Sequence, residues 1–191
     1  MTSNRVEAFS DGVIAIIITI MVLELRPPHE ASLATLRPLL PVFVSYLISF
    51  IFVGIYWSNH HHLFQAVERV NGSVLWANLH LLFWLSLTPF VTAWIGQSGF
   101  AKWPVALYGI LLLLSGIAYF ILTLTLLAIH SRESALALAL GRDFKGKFSM
   151  VIYVVAIPLS FVKPWLAYGI YASVAVWWLV PDRRIERTVA P

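Results

Sequence analysis

Long apolar segments are the feature that most restricts how this chain of 191 residues can fold. The first of them, residues 13–23, contains no charged residue. Across the whole chain 60% of the residues are hydrophobic and 12% are charged, whereas soluble domains carry about 25% charged residues. The chain is therefore predicted to be an all-α integral membrane protein.

A membrane-spanning helix needs about 20 mostly apolar residues, and the sequence offers six candidates. Their predicted bounds are 6–25, 39–60, 74–95, 103–129, 148–162 and 165–180. The last two are short and are separated by Lys163-Pro164, which is typical of a turn; one long broken helix is the alternative. Pro89 and Pro158 lie inside two segments and are predicted to kink them. Residues 1–191 are thus predicted to form a single six-helix transmembrane domain.

Lysine and arginine are unequally shared between the two ends of the predicted helices. With six spans both termini lie on the same side, and that side holds nine basic residues against four on the other. The nine are Arg5, Arg69, Arg132, Arg142, Lys145, Lys147, Arg183, Arg184 and Arg187; the four are Arg26, Arg37, Lys102 and Lys163. Because cytoplasmic loops carry the excess of Lys and Arg, both termini are predicted to be cytoplasmic.

Polar residues from three helices lie at one level in this topology, near the inner membrane interface. They are Arg5, Ser10 and Asp11 in helix 1, His60 in helix 2 and Asn78 in helix 3. An ionisable group at membrane depth is costly and is usually paired, so Asp11 is predicted to pair with Arg5 or with His60. The residues form either a structural network or a proton or ion site. Geometry favours the network, because Asp11 lies about 140° around the helix from Ile16.

A stripe of apolar residues runs along one face of helix 1. Ile16, Ile20 and Leu23 fall within about 60° of one another on a helical wheel, and Thr19 lies beside Ile16. From spacing alone this face could line a pore, contact lipid or pack against other helices.

Other chemistries find little support in the sequence. Adjacent helical residues point about 100° apart, so His60, His61 and His62 cannot hold one metal ion together. The chain has no cysteine, and it contains no HExxH, no GxSxG and no paired carboxylates within a span. The net charge of +4 is spread over the loops. We therefore expect no enzymatic activity, no metal, no cofactor and no nucleic-acid partner.

Three motifs in order carry a resemblance to a known family. The first is Arg5-x-x-x-Phe9-Ser10-Asp11, at the start of helix 1; the second is Trp57-x-x-His60-His61-x-Leu63-Phe64; the third is Asn78-Leu79 with the later Pro89-Phe90-x-Thr92. Together they resemble the signatures of the bacterial branch of the endosomal and lysosomal potassium channel family, transmembrane protein 175. One departure is His62, where an Arg is common in that family.

The resemblance implies a homotetramer in a bacterial plasma membrane, with helix 1 of each subunit lining a central pore. Ile16 would form the main hydrophobic constriction, with Ile20 on the same face and Leu23 in an outer apolar ring. Thr19 would contact the permeating ion, and no carbonyl filter of the TVGYG kind is present. The family's network would hold helix 1 at its tilt through Arg5, Phe9, Ser10, Asp11, Trp57, His60 and Asn78.

The function implied is a potassium-permeable channel with a modest preference for K⁺ over Na⁺, in which K⁺ is the permeant ion and the lipid bilayer the surrounding partner. A proton-coupled secondary transporter that uses Asp11 and His60 as a relay is the alternative. Such transporters usually contain inverted repeats, and the sequence shows no internal repeat.

Overall fold

The computed structural model describes residues 3–28, 31–67, 69–130 and 144–179. Within these ranges the chain forms seven α-helices and one 3₁₀ helix, and no strand. They are α1 (Ser3–Leu23), a 3₁₀ helix (Leu33–Leu39), α2 (Leu40–Gln65), α3 (Gly72–Ser86), α4 (Thr88–Gln97), α5 (Lys102–Ile129), α6 (Phe144–Leu159) and α7 (Pro164–Leu179). Four segments are long and apolar enough to cross a membrane, with α3 and α4 together forming one of them. The shorter α6 and α7 complete the six helical segments of an all-α membrane protein.

Pro89 breaks the third segment into two helices. α3 ends at Ser86, and α4 begins at Thr88 with Pro89 close to its start. The break follows from the proline ring, which has no N–H to donate and which clashes with the carbonyl four residues earlier. Pro158 instead lies one residue before the end of α6, so it marks the end of that helix.

α6 and α7 are two separate helices that form an antiparallel hairpin. The turn between them, residues 160–163, is closed by the backbone N–H of Lys163 donating to the carbonyl of Leu159 at 2.8 Å. Pro164 is the first residue of α7, a position where the missing N–H costs nothing. Along the hairpin, the Tyr153 and Tyr171 rings meet edge to face with centroids 6.0 Å apart. The predicted turn at Lys163-Pro164 is confirmed.

The described helices pack around two apolar clusters. One cluster is formed by α1, α3 and the second halves of α2 and α5, and includes Ile14, Phe64 and Leu126. The other is formed by α4, α6, α7 and the first halves of α2 and α5. α5 takes part in both clusters and connects them. Close approach within the second cluster requires Gly109, because a Cβ there would collide with the Tyr171 hydroxyl and lie 2.9 Å from Ile157.

Candidate functional site

α1 has one face buried in its own subunit and an opposite face that is exposed. The buried face repeats every three or four residues and consists of Val6, Ser10, Ile14, Ile17 and Met21. The exposed face carries Ile16, which is 58% exposed, Leu23, which is 77% exposed, and Thr19 and Ile20 between them. α1 packs against α2, α3 and α4 through the buried side. The four residues of the predicted stripe therefore lie together on the face that the subunit leaves uncovered.

A chain of buried hydrogen bonds connects α1, α3 and α2. The Ser10 hydroxyl donates to the carbonyl of Val6 at 2.8 Å and accepts from the Asn78 Nδ2 at 2.9 Å. The Asn78 Oδ1 lies 2.8 Å from the His60 Nε2. Ser10, Asn78 and His60 are each at most 1% exposed. The network predicted for these three residues therefore ties three helices together on the face of α1 opposite the stripe.

The Asn78 side chain determines which nitrogen of His60 carries a proton. With its amide nitrogen committed to Ser10, Asn78 offers His60 only an oxygen, and an amide oxygen can only accept. His60 therefore donates from Nε2, and its Nδ1 is buried with no hydrogen-bond partner among the described residues. Phe64 stacks on the imidazole, with centroids 4.5 Å apart. The site holds His60 as a positioned structural donor.

Asp11 pairs with Trp57, which corrects the predicted pairing with Arg5 or His60. The indole Nε1 of Trp57 donates to the Asp11 Oδ1 at 3.0 Å. The physical reason is rotation: Asp11 lies on the flank of α1 that meets α2, whereas Arg5 lies on the exposed face. Arg5 makes no hydrogen bond or ion pair with any described residue, and Phe9, at 56% exposed, also points away from the buried network.

A second contact between α1 and α2 was missed by reasoning from the sequence. The Glu7 Oε1 lies 2.6 Å from the His61 Nδ1, and the other ring nitrogen of His61 lies 2.9 Å from the Gln65 amide nitrogen. The Trp57 and His61 rings stack at 6.0 Å. The signal was present: Glu7 and Asp11 are four residues apart on α1, and Trp57 and His61 are four apart on α2. Such pairs lie on one helix face, so two matched pairs can meet across a helix interface.

The three consecutive histidines point to different surroundings, as the helical geometry predicts. His60 bonds to Asn78 on α3, and His61 bonds to Glu7 on α1. The centroids of the His61 and His62 rings lie 5.7 Å apart, and the two ring planes are inclined by 53°. Within the described ranges no group of three His, Cys, Asp or Glu residues could hold a metal ion.

Thr19 keeps its hydroxyl on the exposed face of α1. The hydroxyl donates to the carbonyl of Ile16 at 2.8 Å. This bond uses the proton and leaves the lone pairs of the oxygen available. The arrangement can therefore present an oxygen to a cation without leaving an unpaired donor.

Comparison with known proteins gives consistent matches over the whole chain. The family model of the endosomal/lysosomal potassium channel TMEM175 matches residues 5–89. A potassium channel of Chryseobacterium sp. (strain P1-3) is 57% identical over 189 residues, which cover 99% of this chain and 98% of that protein. A potassium channel of Chamaesiphon minutus is 30% identical, with 92% of each chain covered.

A solved structure has the same fold. It is the crystal structure of a lysosomal potassium-selective channel TMEM175 homolog from Chamaesiphon minutus. The TM-score is 0.81 at 29% identity, and the match covers 98% of both chains. The likeness therefore extends over α5 to α7 as well, beyond the residues that carry the sequence motifs.

Proposed function

This chain belongs to the endosomal/lysosomal potassium channel family TMEM175, and from that membership we propose that it is a K⁺-permeable channel whose pore is lined by the exposed face of α1. The coarser statement, a multi-pass membrane protein of a cation channel family, follows from the two bacterial relatives and the solved homologue. The finer proposal concerns which residues the ions meet and how they pass.

The uncovered face of α1 is the observation that carries this proposal. The face runs from Arg5 through Ile16 and Thr19 to Leu23, and no other described helix of the subunit covers it. One chain supplies one such stripe, which cannot enclose a pathway by itself. Copies related by a central axis would bring their stripes together, and closed cyclic symmetry is the usual way that identical subunits assemble. We propose a homotetramer with four α1 helices around the pore.

Ile16 is the proposed constriction. A narrow ring of branched apolar side chains excludes water, so an ion passes only when the ring widens. K⁺ loses its hydration shell at lower cost than Na⁺, and an apolar neck that strips water can therefore favour K⁺ modestly. Ile20 and Leu23 would continue the apolar lining, and the Thr19 oxygen would offer a passing cation one polar contact in an otherwise apolar neck.

The buried network has a separate task in this proposal. Ser10, Asn78 and His60 hold α1 against α3 and α2, so they set the rotation that turns Ile16 toward the axis. We propose that both termini are cytoplasmic in a bacterial plasma membrane. The sequence supports this orientation, because with six spans nine Lys and Arg residues fall on the side of the termini and four on the other, and such an excess marks the cytoplasmic side.

The alternative, a proton-coupled transporter with an Asp11–His60 relay, has weaker support. The two side chains have different partners, Trp57 for Asp11 and Asn78 for His60. Asp11 lies off the exposed face of α1, and His60 is buried on α2. A relay would require both to exchange protons with a shared path.

The experiment is a measurement of the reversal potential of the purified channel in a planar bilayer, under opposing KCl and NaCl gradients. We expect a current that reverses toward the K⁺ equilibrium potential. The contradicting result is no current at any voltage, combined with substrate uptake into liposomes only under a pH gradient. That outcome would favour the transporter.

A further inference from the structure

Two lysines near the start of α6 lie over aromatic rings of neighbouring helices. The Lys145 ammonium lies 5.8 Å from the ring centroids of both Trp177 and Trp178 on α7. The Lys147 ammonium lies 5.8 Å from the ring centroid of Phe120 on α5. These distances are within the range of attraction between a cation and an aromatic face. The Phe120 ring occupies only one side of the Lys147 ammonium, and the remaining N–H donors of Lys147 can bind an anion.

The rings beneath Lys145 are held in place by further contacts. The Trp178 indole donates to the Ser149 hydroxyl at 3.0 Å, and that hydroxyl donates to the carbonyl of Lys145 at 2.8 Å. The Phe148 ring meets Trp177 edge to face, with centroids 5.7 Å apart. Lys145 therefore belongs to an ordered cluster of α6 and α7, and Lys147 lies two residues further along α6.

The pairing of Lys147 with Phe120 shows how deep this cluster lies. Phe120 is nine residues before Ile129, the last residue of α5, which corresponds to about 14 Å along the helix axis. In the other direction Phe120 is 18 residues from Lys102, or about 27 Å. The hydrocarbon core of a bilayer is about 30 Å thick. Lys147 therefore lies near one boundary of the hydrocarbon core, and α5 continues beyond it through the level of the lipid headgroups.

The described parts of α6 and α7 each contain 16 residues, or about 24 Å of helix. Lys147 lies in the first described turn of α6. Within the described part of the chain Lys147 has no carboxylate partner.

An apolar stripe leads away from the lysines along α6. Its members are exposed and recur every three or four residues: Phe144, Phe148, Val151 and Val155. Such a stripe suits an acyl chain, and a cationic group at its end suits a phosphate. We propose that Lys147 binds the headgroup phosphate of an anionic phospholipid whose acyl chain lies on this stripe.

The experiment titrates the full-length channel in detergent with phosphatidylglycerol and counts bound lipids by native mass spectrometry. Lys147→Gln keeps a polar side chain, shorter by one atom, and removes the charge. It is expected to weaken phosphatidylglycerol binding about fivefold, the effect of one cation at a membrane surface. Lys102→Gln, at the opposite end of α5, is the matched control and should not change the affinity.

Three results would overturn the proposal. Equal phosphatidylglycerol affinity in the parent and Lys147→Gln would remove the lysine from any site. Equal affinity for phosphatidylcholine would show that the site does not recognise the net negative charge of the lipid. Complete displacement by soluble glycerol phosphate would make the ligand a free phosphate. Lys147→Arg should bind as the parent does, which separates loss of charge from a folding defect.

Discussion

The two faces of α1 differ in chemistry although they alternate along the same 21 residues. One face contains the buried Ser10 and is bonded to α3 and, through Asn78, to α2. The other carries Ile16 and Leu23, which are 58% and 77% exposed in the subunit. In the proposed channel, stability and permeation are therefore separated by rotation around a single helix. Substitutions on one face should change folding, and substitutions on the other should change the current.

The largest effect is expected from Asn78→Leu on the buried face. The change leaves the buried His60 Nε2 without an acceptor, which costs about 1–3 kcal/mol. It also removes the hydrogen bond that Ser10 accepts, worth about 0.5–1.5 kcal/mol, while Ser10 keeps its bond to the Val6 carbonyl. We expect unfolding in detergent to become easier by about 2–4 kcal/mol, measured by chemical denaturation, with an unchanged K⁺/Na⁺ permeability ratio in the fraction that still folds. Asn4→Leu, at an exposed position of α1, is the control. A changed ratio would mean that the buried face also acts on the ions.

A smaller loss of stability is expected from Asp11→Ala. It removes a charged acceptor from the Trp57 indole, and a hydrogen bond to a charged group contributes about 1.5–3 kcal/mol. Asp11→Asn keeps an oxygen toward the indole and should lose less than half as much. If both variants denature like the parent, the Asp11–Trp57 bond does not hold α1. If they fold but lose all current, Asp11 belongs to the ion path.

Two neighbouring isoleucines on opposite faces give the sharpest matched pair. Ile16 is 58% exposed and Ile17 is 3% exposed. Ile16→Asn should wet the constriction and raise the conductance about tenfold, which corresponds to a barrier lower by about 1.4 kcal/mol. Ile17→Asn buries an unpaired amide and should destabilise the fold without raising the conductance of the channels that form. If the two variants have the same conductance in bilayer recordings and the same stability in denaturation, the two faces of α1 do not differ in function.

The smallest effect is expected at Thr19. Thr19→Val keeps the shape and removes the oxygen, so the K⁺/Na⁺ permeability ratio should shift about two- to threefold, or roughly 0.5 kcal/mol. Thr19→Ser keeps the hydroxyl and should behave like the parent. Reversal potentials under bi-ionic conditions measure both. Identical ratios in all three proteins would remove Thr19 from the ion path.

Much of the fold could be predicted from the sequence, because membrane helices are defined by apolar length. The predicted segment 103–129 differs from α5 by one residue at its start. The largest error occurs where polar residues continue a helix: α2 extends to Gln65, past the predicted end at residue 60. Hydropathy is lost at the three histidines, but the backbone stays helical there, and the side chains of His60 and His61 find partners on α3 and α1.

The contacts of the site could be predicted only in part. Ser10, Asn78 and His60 were identified as neighbours because topology alone brings their helix ends to one level. The partner of Asp11 was not, since that depends on the relative rotation of α1 and α2, which a single sequence does not determine. The exposed stripe was found from a helical wheel. A helical wheel does not distinguish a face that contacts lipid from one that contacts water, so the pore-lining role of the stripe is a proposal.

If the exposed face of α1 lines the pore, water must reach this face inside the assembled channel, and this is the most direct property to measure. The chain has no cysteine, so a single introduced thiol is the only target for a water-soluble cationic thiol reagent. Ile16→Cys is compared with Val151→Cys on α6, because the parent residues are equally uncovered in the subunit, at 58% and 59%. We predict that the reagent modifies Ile16→Cys and blocks its current, and leaves Val151→Cys, facing lipid, unmodified and conducting. An unmodified Ile16→Cys channel with full current would contradict a pore lined by this face.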